Sequence, residues 1–363
     1  MPTIYITESD ALLKMQRQKF QVFHQEKQCV SIPIRQVSQI ILFGNIKLPK
    51  EVIKVVVAHQ IPVLYITTFG EILGRLENTS QRQYKYLTSQ RQHLRNLELK
   101  RATAESMIWA KLHNQHTFLK NWTRHYADHN TQRALNYLTL LMDNLPIATS
   151  VSELREYSEE ADNVYYRAVA SVLSFYNPTS HINQKYIKGF LKLGYQLLHQ
   201  YIYTLLDTAG LHPDYAILHR DVHHELPLAW DFSIEFCTPI VDDLVLNFAR
   251  NFAYTNGNGN GKSEPRTILQ RFLQHWEAKL RTFVLHPYAG EVSYRQCMDL
   301  QVREYIACLL GDTEHYRPLA LKFHPANEVK SKKLKVKSEE GENLLFTADN
   351  DSSQNSLQLL RLL

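Results

Sequence analysis

Cysteine is scarce and unpatterned: four residues, Cys29, Cys237, Cys297 and Cys308, lie far apart with no CxxC pair. That excludes a disulfide frame or a zinc ribbon and suits a reduced, cytoplasmic protein. No run of 18 or more apolar residues occurs, and MPTIYITESD lacks a basic-then-apolar leader, so the chain reads as neither secreted nor membrane-bound. There is no internal repeat. Acid is nearly missing from one stretch. Between Arg82 and Arg124 only Glu98 and Glu105 oppose Arg82, Lys85, Arg91, Arg95, Lys100, Arg101, Lys111, Lys120 and Arg124, with Tyr84, Tyr86, Trp109 and Trp122 interleaved. The whole chain carries only +5, so this concentration matters more than the sum. It has the form of a phosphate-binding surface, where Lys and Arg replace condensed counterions on nucleic acid. A solvated helix face is the competing reading.

What is present divides the 363 residues in two. TIYIT, FQVFH, CVSIPI, SQIILFG and PVLYIT are short, β-branched and aromatic, and read as strands, with turns at Gly44-Asn45 and Phe69-Gly70. One helix interrupts them, roughly Pro49 to His59, with proline in its first turn. From there on, segments 92–125, 131–143, 152–175, 183–209, 228–253, 264–284 and 293–311 repeat apolar residues at helical spacing. The expected architecture is α+β by domain: a small N-terminal β-rich domain (1–77), a linker (78–90), a large all-helical domain (91–322) and a polar, disordered tail (323–363). NGNGNGK from Asn256 to Lys262 is a flexible loop by composition, and the closing LQLLRLL suits a short docking helix.

Chemistry concentrates in AILHRDVHHELPLAWDFSIEF, Ala216 to Phe236. A lone carboxylate inside LPLAWDFSI is costly unless something pairs with it. His219 is delivered by the strand-like run YAIL, and Asp231 opens a helix. An imidazole and a carboxylate suit a hard or first-row divalent ion such as Mg²⁺ or Mn²⁺, yet two ligands are too few for an all-protein cage. The alternative is an Asp capping a helix beside a core His. His223-His224 fall in a polar loop and read as solvated.

Longer stretches carry a resemblance. SQIILFGNIKLPKEVIKVVVAHQIPVLYITTFGEILGRL, AKLHNQ, LKLGYQLLHQYIYTLLDTAGLHPDYAILHR, LAWDFSIEFCTPIVDDLVLNF and SYRQCMDLQVREYIACLLG, in that order and spacing, resemble the "Cas one" family of CRISPR-associated spacer-acquisition endonucleases and integrases over residues 1 to about 320. The resemblance implies a β-domain that forms a homodimer and a helical domain with the active site. It implies metal-dependent cutting and joining of double-stranded DNA with the small "Cas two" partner, in antiviral defence. It implies Glu, His and Asp metal ligands using Mg²⁺ or Mn²⁺. His219 falls on the histidine and Asp231 on the aspartate, twelve residues later.

The glutamate does not carry over. In LREYSEEADNVYYRAV, Leu154, Ala161 and the pair Tyr165-Tyr166 fix a register that puts Ser158 at its position, with Glu159 as the fallback one residue away. On a helix Glu159 points about 100° from Ser158. Ile234 stands where a second acid is common, Glu235 keeps the next acidic position, Cys237 replaces a commonly basic residue, and Lys188 a common Asn. Serine is a poor ligand for a hard cation. The residues expected on DNA are Arg82, Lys85, Arg91, Arg95, Lys111 and Lys188. Three readings follow: a metal-dependent endonuclease and integrase with an altered ligand set, a catalytically impaired DNA-binding homologue, and a helical metal hydrolase of small substrates. The basic segment and the family-wide match argue against the third.

Overall fold

The computed structural model describes residues 2–77, 84–123, 129–176, 184–219, 225–256 and 265–320, with 344–345 and 360–361. The N-terminal region builds seven strands around one helix, two strands more than the sequence marks. Strands β1 (Thr3–Ile6), β5 (Gln39–Phe43), β6 (Val63–Ile66) and β7 (Ile72–Leu76) form one sheet in the order β1-β5-β6-β7; β1, β5 and β6 run parallel and β7 antiparallel. Helix α1 (Lys50–Ala58) makes the crossover that parallel β5 and β6 require. Strands β2 (Leu12–Gln16), β3 (Lys19–His24) and β4 (Lys27–Pro33) form a separate antiparallel meander.

The main sheet is buried on both faces, which is why QIILF reads as an unbroken apolar run rather than an alternating one. Successive side chains of a strand point to opposite faces. Ile4, Ile6, Ile40, Leu42 and Val63 enter a core shared with the meander and α1, whereas Tyr5, Ile41, Phe43, Leu64 and Ile66 enter the core of the helical region. The sheet is therefore a common wall. Tyr5 reaches through it to donate to Glu277 Oε1 at 2.7 Å and accepts from the Trp276 indole at 3.2 Å.

Helix α2 (Leu87–Arg95) starts inside the stretch expected to be linker. Helix α3 (Leu97–Trp122) begins at Asn96, whose side-chain oxygen accepts from the N–H groups of Glu98 and Leu99 at 3.1 Å. Its buried Ala104, Met107, Ile108, Leu112 and Phe118 face several directions, as in a central helix. Helices α4 (His129–Asn144) and α5 (Val151–Tyr176) pack on it, and α6 (Gln184–Ala209) follows. The expected helix 228–253 is α7 (Pro227–Phe236) and α8 (Asp243–Asn256), joined by a π-helical segment, Cys237–Asp242.

The C-terminal region departs from all-helical. Helix α9 (Pro265–Leu280) stops early, and the hairpin β8 (Phe283–His286) and β9 (Gly290–Ser293) precedes α10 (Tyr294–Leu310). Ser293 and Gln296 close a reciprocal capping box at its start. Within the tail, Leu344–Leu345 (β10) and Leu360–Arg361 (β11) pair as short antiparallel strands, so the described part of LQLLRLL is strand, not helix. The rest of the tail and most of NGNGNGK lie outside the described residues. All four cysteines are free thiols, and among the described residues no helix is long and apolar enough to cross a membrane.

Candidate nucleic-acid interface and metal position

Two segments converge on one carboxylate. Helix α7 opens after Leu226, which takes a left-handed backbone (φ 54°), with Pro227 in the first helical position where a missing N–H costs nothing. One turn on, Asp231 is 0% exposed. Ile217 to His219, expected as the end of a strand, form an irregular bend against it. Asp231 Oδ1 accepts from the His219 backbone N–H at 2.8 Å and lies 2.7 Å from His219 Nδ1. Its Oδ2 accepts from the N–H groups of Ile217 at 2.5 Å and Leu218 at 3.1 Å. A carboxylate has about four lone-pair sites, and all four are used.

His219 is partly exposed, its side chain 22% accessible. It lines a cleft of about 970 Å³ together with Lys100, Arg101, Arg155 and Tyr215. Arg155, on α5, donates through Nε to the carbonyl of Leu218, tying the cleft's cation to the bend that presents His219. Arg91 donates to Tyr215 Oη at 2.9 Å and lies over its ring at 5.5 Å, which places it beside the cleft wall.

Ser158 lies on α5. Leu154, Ala161 and Tyr165 are fully buried along α5, and Ser158 lies among them on the inward side while Glu159 is exposed. Ser158 meets Lys111. The Lys111 ammonium donates to Ser158 Oγ at 2.7 Å, Ser158 O at 3.2 Å and Asp162 Oδ2 at 2.7 Å, which accounts for its three protons. Asp162 Oδ1 accepts from Gln115 Nε2 at 2.9 Å. Lys111, expected on DNA, is thus 8% exposed and turned inward. Lys85, Arg95 and Lys188 are exposed, and Lys85 lies 4.9 Å over the Tyr86 ring. Arg82, His223 and His224 lie outside the described residues.

A three-donor divalent centre of the kind the resemblance implies does not fit this donor set. Ser158 is neutral and held by an ammonium, and Asp231 is saturated by N–H bonds. Among the described residues, the one trio of His, Cys, Asp or Glu with ligand atoms all within 4.8 Å of one another is Glu8, Asp10 and His24, in the N-terminal region.

Two buried carboxylates organise the surroundings: Asp242, which sequence reasoning missed, and Glu235, which it noted only as an acidic position. Asp242 accepts from Tyr165 at 2.8 Å and from Tyr195, and burial raises its pKa to about 6. Glu235 accepts from Tyr316 at 2.6 Å, the Leu319 N–H at 2.8 Å and Gln301 at 3.2 Å, and burial raises its pKa to about 7. Arg155 was missed too; its signal was its place one turn before Ser158, on the same side of the helix.

This is a protein with a two-faced N-terminal sheet, a helical body and a cationic cleft ending at a histidine. Residues 4–278 match the family model described as CRISPR associated protein Cas1, and the chain belongs to that family. A Thermus thermophilus relative named CRISPR-associated endonuclease Cas1 3 is 24% identical over 330 residues, covering 88% of this chain and 97% of the relative. Two solved structures share the fold. A chain of a Cas6-RT-Cas1–Cas2 complex is 17% identical with a TM-score of 0.71, covering 89% of this chain and 36% of that one. A casposase bound to integration product is 17% identical with a TM-score of 0.68, covering 87% and 93%.

Proposed function

We propose that this chain serves CRISPR spacer acquisition in the cytoplasm as a DNA-holding member of its family. It grips duplex DNA in the cleft beside His219, pairs with a second copy through the β-rich region and works with a Cas2-like partner, while its own metal-dependent cutting and joining is impaired. The observation that carries this reading is the cleft of about 970 Å³ whose lining includes Lys100, Arg101, Arg155 and His219, with Asp214 also on its wall and Arg101 paired to Glu105 at 2.9 Å. Cations on a concave wall attract phosphates and raise the local concentration of nucleic acid. The solved relatives in complex with Cas2 and with an integration product support the partners. The impairment rests on Ser158, because even the loss of a group that merely orients a ligand costs about 10–100-fold in metal affinity or activity.

The test is a half-site integration assay on branched DNA with Mn²⁺, run beside a duplex-binding measurement. Wild type and His219→Ala should give the same background of joined product while wild type binds the duplex. Product made by wild type and lost in His219→Ala contradicts the impairment. Failure of wild type to bind duplex contradicts the whole reading.

A further inference from the structure

We infer that Asp231 is a backbone clasp rather than a metal ligand, and that the position where the family resemblance puts a divalent ion is metal-free in this protein. The Asp231 carboxylate spends all its lone pairs on the N–H groups of Ile217, Leu218 and His219 and on the His219 ring. An ion could enter only by breaking bonds to buried amides, and a buried N–H left without a partner is expensive. Nothing compensates for that loss. Ser158 brings no charge and its Oγ accepts from the Lys111 ammonium at 2.7 Å, and the nearby Asp162 carboxylate is itself taken up by Lys111 at 2.7 Å and Gln115 at 2.9 Å. His219 Nδ1 is committed to Asp231, which leaves a single ring nitrogen, too little to hold Mg²⁺ or Mn²⁺.

The clasp still has work in the cleft. By fixing Ile217 to His219 it sets the Leu218 carbonyl that receives Arg155 and the direction of the His219 ring. Asp231 is therefore a positioning residue for the phosphate-binding wall. This deepens the DNA-holding reading and rests on it only for what the cleft binds; the metal-free claim stands or falls separately.

The experiment titrates Mn²⁺ alone into the full-length protein by calorimetry and follows melting with Mn²⁺ or with EDTA, without DNA. Wild type and His219→Ala should give superimposable Mn²⁺ isotherms; any ion held at Glu8, Asp10 and His24 appears equally in both and cancels. Asp231→Asn, which presents an amide N–H₂ to backbone N–H groups, should melt at a lower temperature by the same amount in Mn²⁺ and in EDTA. A Mn²⁺ site present in wild type and lost in His219→Ala overturns the metal-free claim. Melting of Asp231→Asn equal to wild type in EDTA overturns the clasp. Should Asp231→Asn fail to fold, the His219→Ala comparison still decides the metal claim.

Discussion

At the scale of single residues, the question is how carboxylates persist in an apolar interior. Asp231 does so on backbone N–H groups. Glu235 is buried on three donors, yet desolvation outweighs them and lifts it from an ordinary 4.5 to about 7. Asp242 rises in the same way, from 3.8 to about 6. The sign follows from linkage. A carboxyl whose folded-state pKa exceeds its unfolded value binds its proton more tightly when folded, so its contribution is fully present below the unfolded value and is lost as pH rises through the folded one. These two carboxyls should therefore withdraw stability as pH rises from about 4 towards 7, while buried His199, pushed down to about 3, acts in the opposite direction over the same window. Glu235→Gln, which keeps the shape without the charge, should raise the melting temperature relative to wild type more at about pH 7 than at about pH 4. A Glu235→Gln profile parallel to wild type would contradict the assignment. The Asp231 and His219 positions were legible in the sequence because LPLAWDFSI leaves a charge with no local partner. The partners themselves were not, since they are backbone amides of a bend thirteen residues upstream and backbone groups carry no residue-type signal.

Secondary-structure elements were legible where one period dominates. Segments 152–175 and 183–209 match α5 and α6 within a residue or so. The β2–β3 hairpin escaped because its two-residue turn is Arg17-Gln18, and β3–β4 turns on Gln25-Glu26; all four have positive φ, where Gly or Asn is the usual signal. The β8–β9 hairpin hid behind the amphipathic run of α9. The π-helical Cys237–Asp242 was read as unbroken helix, because an extra residue in one turn leaves apolar spacing nearly intact. That segment is accommodated by glycine: a Cβ on Gly194 of α6 would lie 2.6 Å from Val241 Cγ1. Gly194→Ala should cost about 1–3 kcal/mol in chemical denaturation. Adding Val241→Ala should return part of it, less the cavity term, and a Gly194→Ala protein as stable as wild type would mean the packing is looser than this contact.

For the whole molecule, composition separated a β-rich part from a helical part, and that division is correct for secondary structure. It does not describe the cores. Tyr5, Ile41, Phe43, Leu64 and Ile66 belong to the helical core, and buried Glu277 of α9 takes both the Tyr5 hydroxyl and Arg295. A shared sheet couples the two parts, because neither can unfold without exposing the other's apolar face. Heating should give one cooperative transition reported alike by near-UV and far-UV circular dichroism. Two separated transitions would argue for independent domains.

The claim that organises the rest is that this protein holds DNA electrostatically in the cleft at His219, with no ion in attendance. The measurement is duplex affinity across a salt series in EDTA, for wild type and for Arg155→Glu with Lys100→Glu. The account predicts binding without divalent metal, weakening linearly in log K against log salt, and for the double variant a weaker affinity and a shallower slope. Binding that appears only with Mn²⁺, or a variant indistinguishable from wild type at every salt concentration, would contradict it.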